Sequence, residues 1–182
     1  MRISAYGRFC EQKGFDTLVR AVRAGWFGDC ELLLGGFGPQ ATLLRALAGD
    51  CAQIRFTGRV ERVADFLDAC DVVAVPSRWE AYGMVATEAR EAGRPILVSP
   101  VDGLPEQAEG AGLLVDFTDP ESIAQALAQI TARGLQPMAA AARRQTADSA
   151  RRTREDWTRL LEPQLSRKSS AAASMIASAS SL

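Results

Sequence analysis

A run that is apolar at nearly every position, DVVAVP (71–76), ends at a proline and leads into a polar turn, a glycine at 83 and good helix formers from Met84 onward. A strand without polar alternation is buried on both faces, the situation of a parallel sheet covered by helices on either side. The stretch PSRWEAYGMVATEA (76–89) then reads as a loop crossing the top of that sheet, followed by a helix whose N-terminus points into the loop. Backbone N–H groups near Tyr82 to Val85 lack helical acceptors there and favour an anion. Two glutamates, Glu80 and Glu88, bracket this helix start.

The rest of the chain repeats the same alternation. Strands are expected at 2–7, 31–36, 54–58, 71–76, 95–99 and 112–116. Between them, helical stripes run from Lys13 to Ala24, from Arg62 to Cys70 and from Gly83 to about Ala92. Another opens with Pro39 at its first position and points Leu43, Leu44 and Leu47 inward. Asp119-Pro120-Glu121 is a cap, a first-position proline and a first-turn acid, heading a helix with Ile123, Leu127 and Ile130 inward and Gly134 at its stop. VDGLPEQAEG (101–110) reads as a turn-rich link, with Glu106 as a helix-start acid. Residues 137–161 read as two helices, the last docking through Trp157, Leu160 and Leu161. These elements predict one domain over 1–163 and a Ser/Ala-rich disordered tail over 164–182.

Six strands alternating with helices predict an α/β fold, a doubly wound open parallel sheet of order 3-2-1-4-5-6. In that order the first and fourth strands are neighbours whose following loops diverge, and ligands bind at the resulting crevice. The two loops are GRFCEQKG (7–14) and PSRWEAYG (76–83), so Arg8 and Lys13 are brought opposite Glu80. Taken singly, each residue has an ordinary reading: Glu80 and Glu88 as solvated helix acids, Arg8 and Lys13 as surface cations, Gly35, Gly36 and Gly38 as turn formers. Taken together they offer a phosphate cradle flanked by hydroxyl acceptors, which suits a sugar nucleotide.

Composition removes several alternatives. With 182 residues and a net charge of −1, the chain has no excess of positive charge for nucleic acid as its main partner. It contains no histidine, so a Ser-His or Cys-His nucleophile pair cannot be built from it. Cys10, Cys30, Cys51 and Cys70 show no paired spacing, against a zinc site or a disulfide framework. No G-x-G-x-x-G follows the first strand, against dinucleotide binding. No apolar run reaches the roughly 18 residues of a membrane span. Arg143, Arg144, Arg151, Arg152, Arg154 and Arg159 read as a solvated helix face, with contact to an anionic membrane as the secondary reading.

The segments GRFCEQKGFDTL, LLLGGFGP, RFTGRV, PSRWEAYGMVATEAREAGRPILVS and GLPE resemble the C-terminal, donor-binding domain of retaining glycosyltransferases of family 4. This is the "glycosyl transferases group 1" domain of the GT-B fold, and the resemblance spans roughly residues 3–133. It implies that Arg8 and Lys13 hold the donor diphosphate, that Glu80 accepts from hydroxyls of the transferred sugar, and that Glu88 binds ribose. It further implies base contacts at Arg59 and Val60, room for nucleotide and sugar at Gly36 and Gly38, and backbone contacts along Ala81, Tyr82, Gly83, Met84 and Val85. The implied chemistry is metal-independent transfer from a UDP- or GDP-linked donor with retention, by front-side attack and without cofactor or covalent intermediate. The acceptor, a sugar or glycolipid, is expected on an N-terminal domain that this chain lacks, so that the chain alone is incomplete. A cytoplasmic location, with peripheral contact at the inner membrane face, goes with that reading. Rival readings are a nucleotide-sugar-binding module or split subunit inactive alone, and a sugar-nucleotide epimerase or phosphorylase on the same fold.

Overall fold

Continuous burial along the central strands, clearest over Val72–Val75 where every residue is buried, places helices on both faces of one sheet. The computed structural model describes the backbone of residues 1–179 and the side chains of residues 1–148 and 151–162. Six strands are present: β1 (Arg2–Arg8), β2 (Glu31–Phe37), β3 (Ile54–Gly58), β4 (Val72–Val75), β5 (Ile96–Val98) and β6 (Gly112–Leu114). They form one sheet in the order β3-β2-β1-β4-β5-β6, every pair parallel, as expected. The helices are α1 (Phe15–Arg23), α2 (Ala41–Ala48), α3 (Val63–Asp68), α4 (Met84–Glu91), α5 (Leu104–Ala108), α6 (Pro120–Arg133) and α7 (Leu135–Ala179), with a 3-10 turn at Glu11–Lys13.

The two faces of β4 show why the apolar run is continuous. Val72 and Ala74 face a core built with Leu18, Val22, Leu44, Ile123 and Ile130, while Val73 and Val75 face a second core with Tyr6, Leu67, Ala86, Ala89 and Leu104. Small alanines on the inner face of α4 let that helix lie close to the sheet. β1 pairs with β2 along its full length, from Arg2↔Glu31 to Arg8↔Phe37, but with β4 only at Ile3↔Val72 and Ser4↔Val73. Beyond Ser4 the two central strands part, and the crevice opens there.

Several local expectations are corrected. Pro39 does not start α2; the helix begins at Ala41 with Gln40 as its cap, because the Gln40 N–H donates to the Phe9 carbonyl (3.0 Å) and holds the turn against the loop after β1. Leu43 is 45% exposed, and only Leu44 of the expected trio is fully buried, with Leu47 packed at the core edge. The link at 101–110 contains α5, whose five residues are too few to display a helical period. The two helices expected over 137–161 are one, since no glycine or proline interrupts 138–162.

The chain divides into two compact units, Met1–Thr146 and Ala147–Leu182. Within the first, the opening turns of α7 bury Met138, Ala139 and Ala142. Within the second, Arg151 pairs with Asp148 (3.3 Å) and Glu155 (4.0 Å), and Arg159 with Asp156 (3.2 Å), along the helix. Trp157, Leu160 and Leu161, expected as docking points, are exposed. Of the expected tail, residues 180–182 lie outside the described residues, and the backbone up to Ala179 belongs to α7.

The Asp119 carboxylate accepts from the N–H groups of Glu121 (3.0 Å) and Ser122 (3.3 Å), capping α6. Asp119→Ala removes both acceptors and is expected to lower stability by about 1 kcal/mol, read as a shift of the urea midpoint at unchanged slope.

Candidate functional site

Both loops that flank the gap between β1 and β4 are pinned across it by charge. The Lys13 ammonium, at the end of the 3-10 turn, pairs with the Glu80 carboxylate, which is 8% exposed; the same carboxylate oxygen accepts from the Ser77 hydroxyl (3.2 Å). Arg78 forks onto both oxygens of Asp16 (2.8 and 2.7 Å) and donates to the Glu11 carbonyl (2.8 Å), while its own N–H donates to the Gln12 carbonyl (2.8 Å). The Arg78 guanidinium holds the Asp16 carboxyl below the ordinary carboxylate range, and Asp16 in turn raises Arg78. Gly14 allows this contact. A Cβ there would sit 2.0 Å from the Pro76 carbonyl oxygen, and its φ of +61° is left-handed.

The glutamate loop is braced from behind as well. The Glu80 N–H donates to the Asp102 carboxylate (2.6 Å), and Asp102 itself adopts a left-handed φ of 47°. Gln107 of α5 donates to the Tyr82 carbonyl and accepts from the Thr87 hydroxyl (3.0 Å). Gly83 caps α4 in the left-handed conformation, and the N–H groups of Ala86 (2.9 Å) and Thr87 (3.2 Å) return to its carbonyl. Those of Met84 and Val85 have no backbone acceptor among the described residues, and the first turn carries no acid. This leaves the expected anion-favouring helix end.

Glu88, half-buried one turn into α4, accepts from the Tyr6 hydroxyl at 2.6 Å. Burial, and then the neighbouring Glu88 charge, push the Tyr6 phenol far up. Arg8 ends β1 exposed, with no ion-pair partner among the described residues. Arg59 lies over the exposed Phe37 ring, 5.2 Å from its centroid, at the tips of β3 and β2, with Val60 half-buried beside it. Ala81, Tyr82 and Met84 are exposed on the loop and helix start. Gly36 and Gly38 have a structural role beside the expected one. The space of a Gly36 Cβ holds the Gly7 carbonyl oxygen (2.0 Å) and that of Gly38 the Phe9 backbone (2.5 Å), so both let the β2 loop lie on the β1 loop.

The predicted residues therefore share one end of the sheet. Those that sequence reasoning missed are the partners: Tyr6, Asp16, Ser77, Arg78, Asp102 and Gln107. Asp102-Gly103 carries a turn signal, and Tyr6 reads only as an apolar strand residue. A separate cleft of about 530 Å³, lined by Arg2, Glu31, Asp68, Asp71 and Arg94 among others, holds charges largely paired with one another. Among the described residues no cluster of three or more metal-ligating side chains occurs, and no helix is long and apolar enough to cross a membrane.

A family model described as "Glycosyl transferases group 1" matches residues 1–133. A lipopolysaccharide core biosynthesis glycosyltransferase of Rhizobium meliloti is 35% identical over 136 residues, covering 71% of this chain and 39% of its own length. The structure of sucrose-phosphate synthase from Thermosynechococcus elongatus is similar at a TM-score of 0.67 and 31% identity, over 81% of this chain and 41% of that one. An Anabaena protein solved with UDP and glucose shares the fold at a TM-score of 0.69 and 21% identity, over 81% of this chain and 43% of its own. The chain thus spans about two fifths of the length of these relatives.

The Arg78–Asp16 fork yields a pH prediction. A carboxyl whose folded pKa is depressed stabilises the fold above its unfolded pKa, and that contribution is lost as pH falls through the folded value. Asp16→Asn is expected to cost about 1 kcal/mol near pH 6. In denaturant melts, the gap to the wild type should close as pH falls below about 4, the unfolded carboxyl range.

Proposed function

The chain belongs to the glycosyl transferases group 1 family, and on that premise we propose that it is the donor-binding half of a retaining glycosyltransferase of family 4, the C-terminal half of a GT-B fold. The observation that carries this reading is the convergence, at the switch point of the sheet, of two cations, two anchored glutamates and a helix end without acidic side chains. A diphosphate accepts charge-assisted hydrogen bonds from Arg8 and from the free N–H groups of α4. Lys13 has three donors, so it can hold Glu80 with one and reach the diphosphate with another. Glu80 and Glu88 each have one oxygen committed to the protein, leaving the other for a hydroxyl of the sugar and of the ribose respectively. The exposed edge at Arg59, Val60 and Phe37 takes the base.

In the proposed reaction the acceptor oxygen bonds to the anomeric carbon on the face from which the diphosphate departs. The bond from that carbon to the phosphate oxygen breaks, and the proton of the acceptor hydroxyl passes to the leaving phosphate. Arg8, Lys13 and the α4 N-terminus stabilise the negative charge that grows on the diphosphate, the type of effect that contributes most in many enzymes. The UDP and glucose of the Anabaena structure support a uridine-linked donor, with a guanosine-linked one as the alternative. Transfer to an acceptor sugar or glycolipid is the part of this proposal that concerns the whole protein.

Titration of two variants against two ligands tests the assignment. Glu88→Gln should weaken a bare nucleoside diphosphate by roughly 1–2 kcal/mol, about tenfold. Glu80→Gln should leave that ligand nearly unaffected and weaken only the sugar-bearing donor. Equal losses on both ligands would mean a shared folding effect, and no loss would leave both residues with a structural role only. Calorimetry in chelator should still register binding; strict dependence on magnesium would sink the metal-independent reading.

A further inference from the structure

We propose that Tyr6 is the positioning residue of the ribose-binding carboxylate, an inference that rests on the donor reading of Glu88 given above. Tyr6 lies on β1 just past Ser4, the last residue paired with β4, and so occupies the gap through which sheet and α4 communicate. Tyr6 is 6% exposed and its ring meets the Phe66 ring edge-on at 5.3 Å, packing that restricts the direction of the hydroxyl. That hydroxyl donates to one Glu88 oxygen at 2.6 Å, within the range of a charge-assisted bond. The second Glu88 oxygen has no partner among the described residues.

A glutamate on a helix turns about three side-chain bonds, and a carboxylate that wanders over those rotamers meets a vicinal diol in few of them. Pinning one oxygen to a core-anchored phenol reduces the choice and aims the other. The helix does not need this bond for its docking, which Ala86 and Ala89 provide by packing on the second core. A phenylalanine would fill the same space. The hydroxyl adds one identifiable thing to the structure, its bond to Glu88. Burial, the hydrogen bond to Glu88 and the adjacent charge also push the phenol up, which favours its donor form.

The test is a thermodynamic cycle between protein and ligand on the full chain. Wild type, Tyr6→Phe, Glu88→Ala and the double variant are titrated with UDP and 2′,3′-dideoxy-UDP, and with the guanosine pair in parallel. Thermal melts establish that each variant folds. Tyr6→Phe should weaken the ribose ligand about fivefold, leave the dideoxy ligand unchanged, and add nothing on top of Glu88→Ala. Equal losses on both ligands would show that Tyr6 serves the fold and would overturn the proposal. So would an unchanged ribose affinity in Tyr6→Phe while Glu88→Ala still separates ribose from dideoxyribose. If Glu88→Ala makes no such distinction, or if the wild type binds neither nucleotide, the donor reading fails and the positioning role falls with it.

Discussion

The crossing of charge between the loops after β1 and β4 is the contact on which the rest of the site depends. The two central strands pair at two positions and then part, so the sheet supplies no hydrogen bonds to hold their upper ends together. Lys13–Glu80 and the Arg78–Asp16 fork take over that task, assisted by the backbone bond from Arg78 to Gln12. Their partial burial matters. Exposed ion pairs contribute little, whereas a forked arginine with one face against protein keeps its geometry and much of its energy. Without this crossing the glutamate loop would be tied only to Asp102 and α5, and Glu80 would lose its ion pair with Lys13.

Asp16 is fully committed to Arg78, whereas Glu80 and Glu88 are each half-committed. Lys13 and Ser77 donate to one oxygen of Glu80, Tyr6 donates to one of Glu88, and Asp102 accepts from the Glu80 N–H. Partly buried carboxylates need such partners, since desolvating a bare charge is costly. Full satisfaction, on the other hand, would leave no oxygen for the ligand hydroxyls proposed above. One anchored oxygen and one open oxygen meets both requirements.

Much of this fold is legible in the sequence. The continuous strands, the Asp119-Pro120 cap and the alternation of elements specify the sheet order, and that order alone brings residues 7–14 to residues 76–83. What escaped was partner choice. Nothing local in Arg78 indicates Asp16, and nothing in Tyr6 distinguishes a core aromatic from one with a hydroxyl to place. Short or unusual pieces escaped for a different reason: α5 has too few residues for a period, and the Gly38–Gln40 turn is decided by the loop it rests on. Pattern reports burial and period. Long-range hydrogen bonds answer to geometry that only the assembled sheet supplies.

Assembly order follows from the Tyr6–Glu88 and Lys13–Glu80 bonds, whose partners lie 82 and 67 residues apart. Closing loops of that length carries an entropic cost that only a largely built sheet can offset, and contacts of high sequence separation are slow to form. The crevice is therefore a late product of folding, completed when β4 seats beside β1. A chain caught short of that step would lack the cross-crevice contacts Tyr6–Glu88 and Lys13–Glu80 together. Binding of the proposed donor would then depend on the cooperative fold.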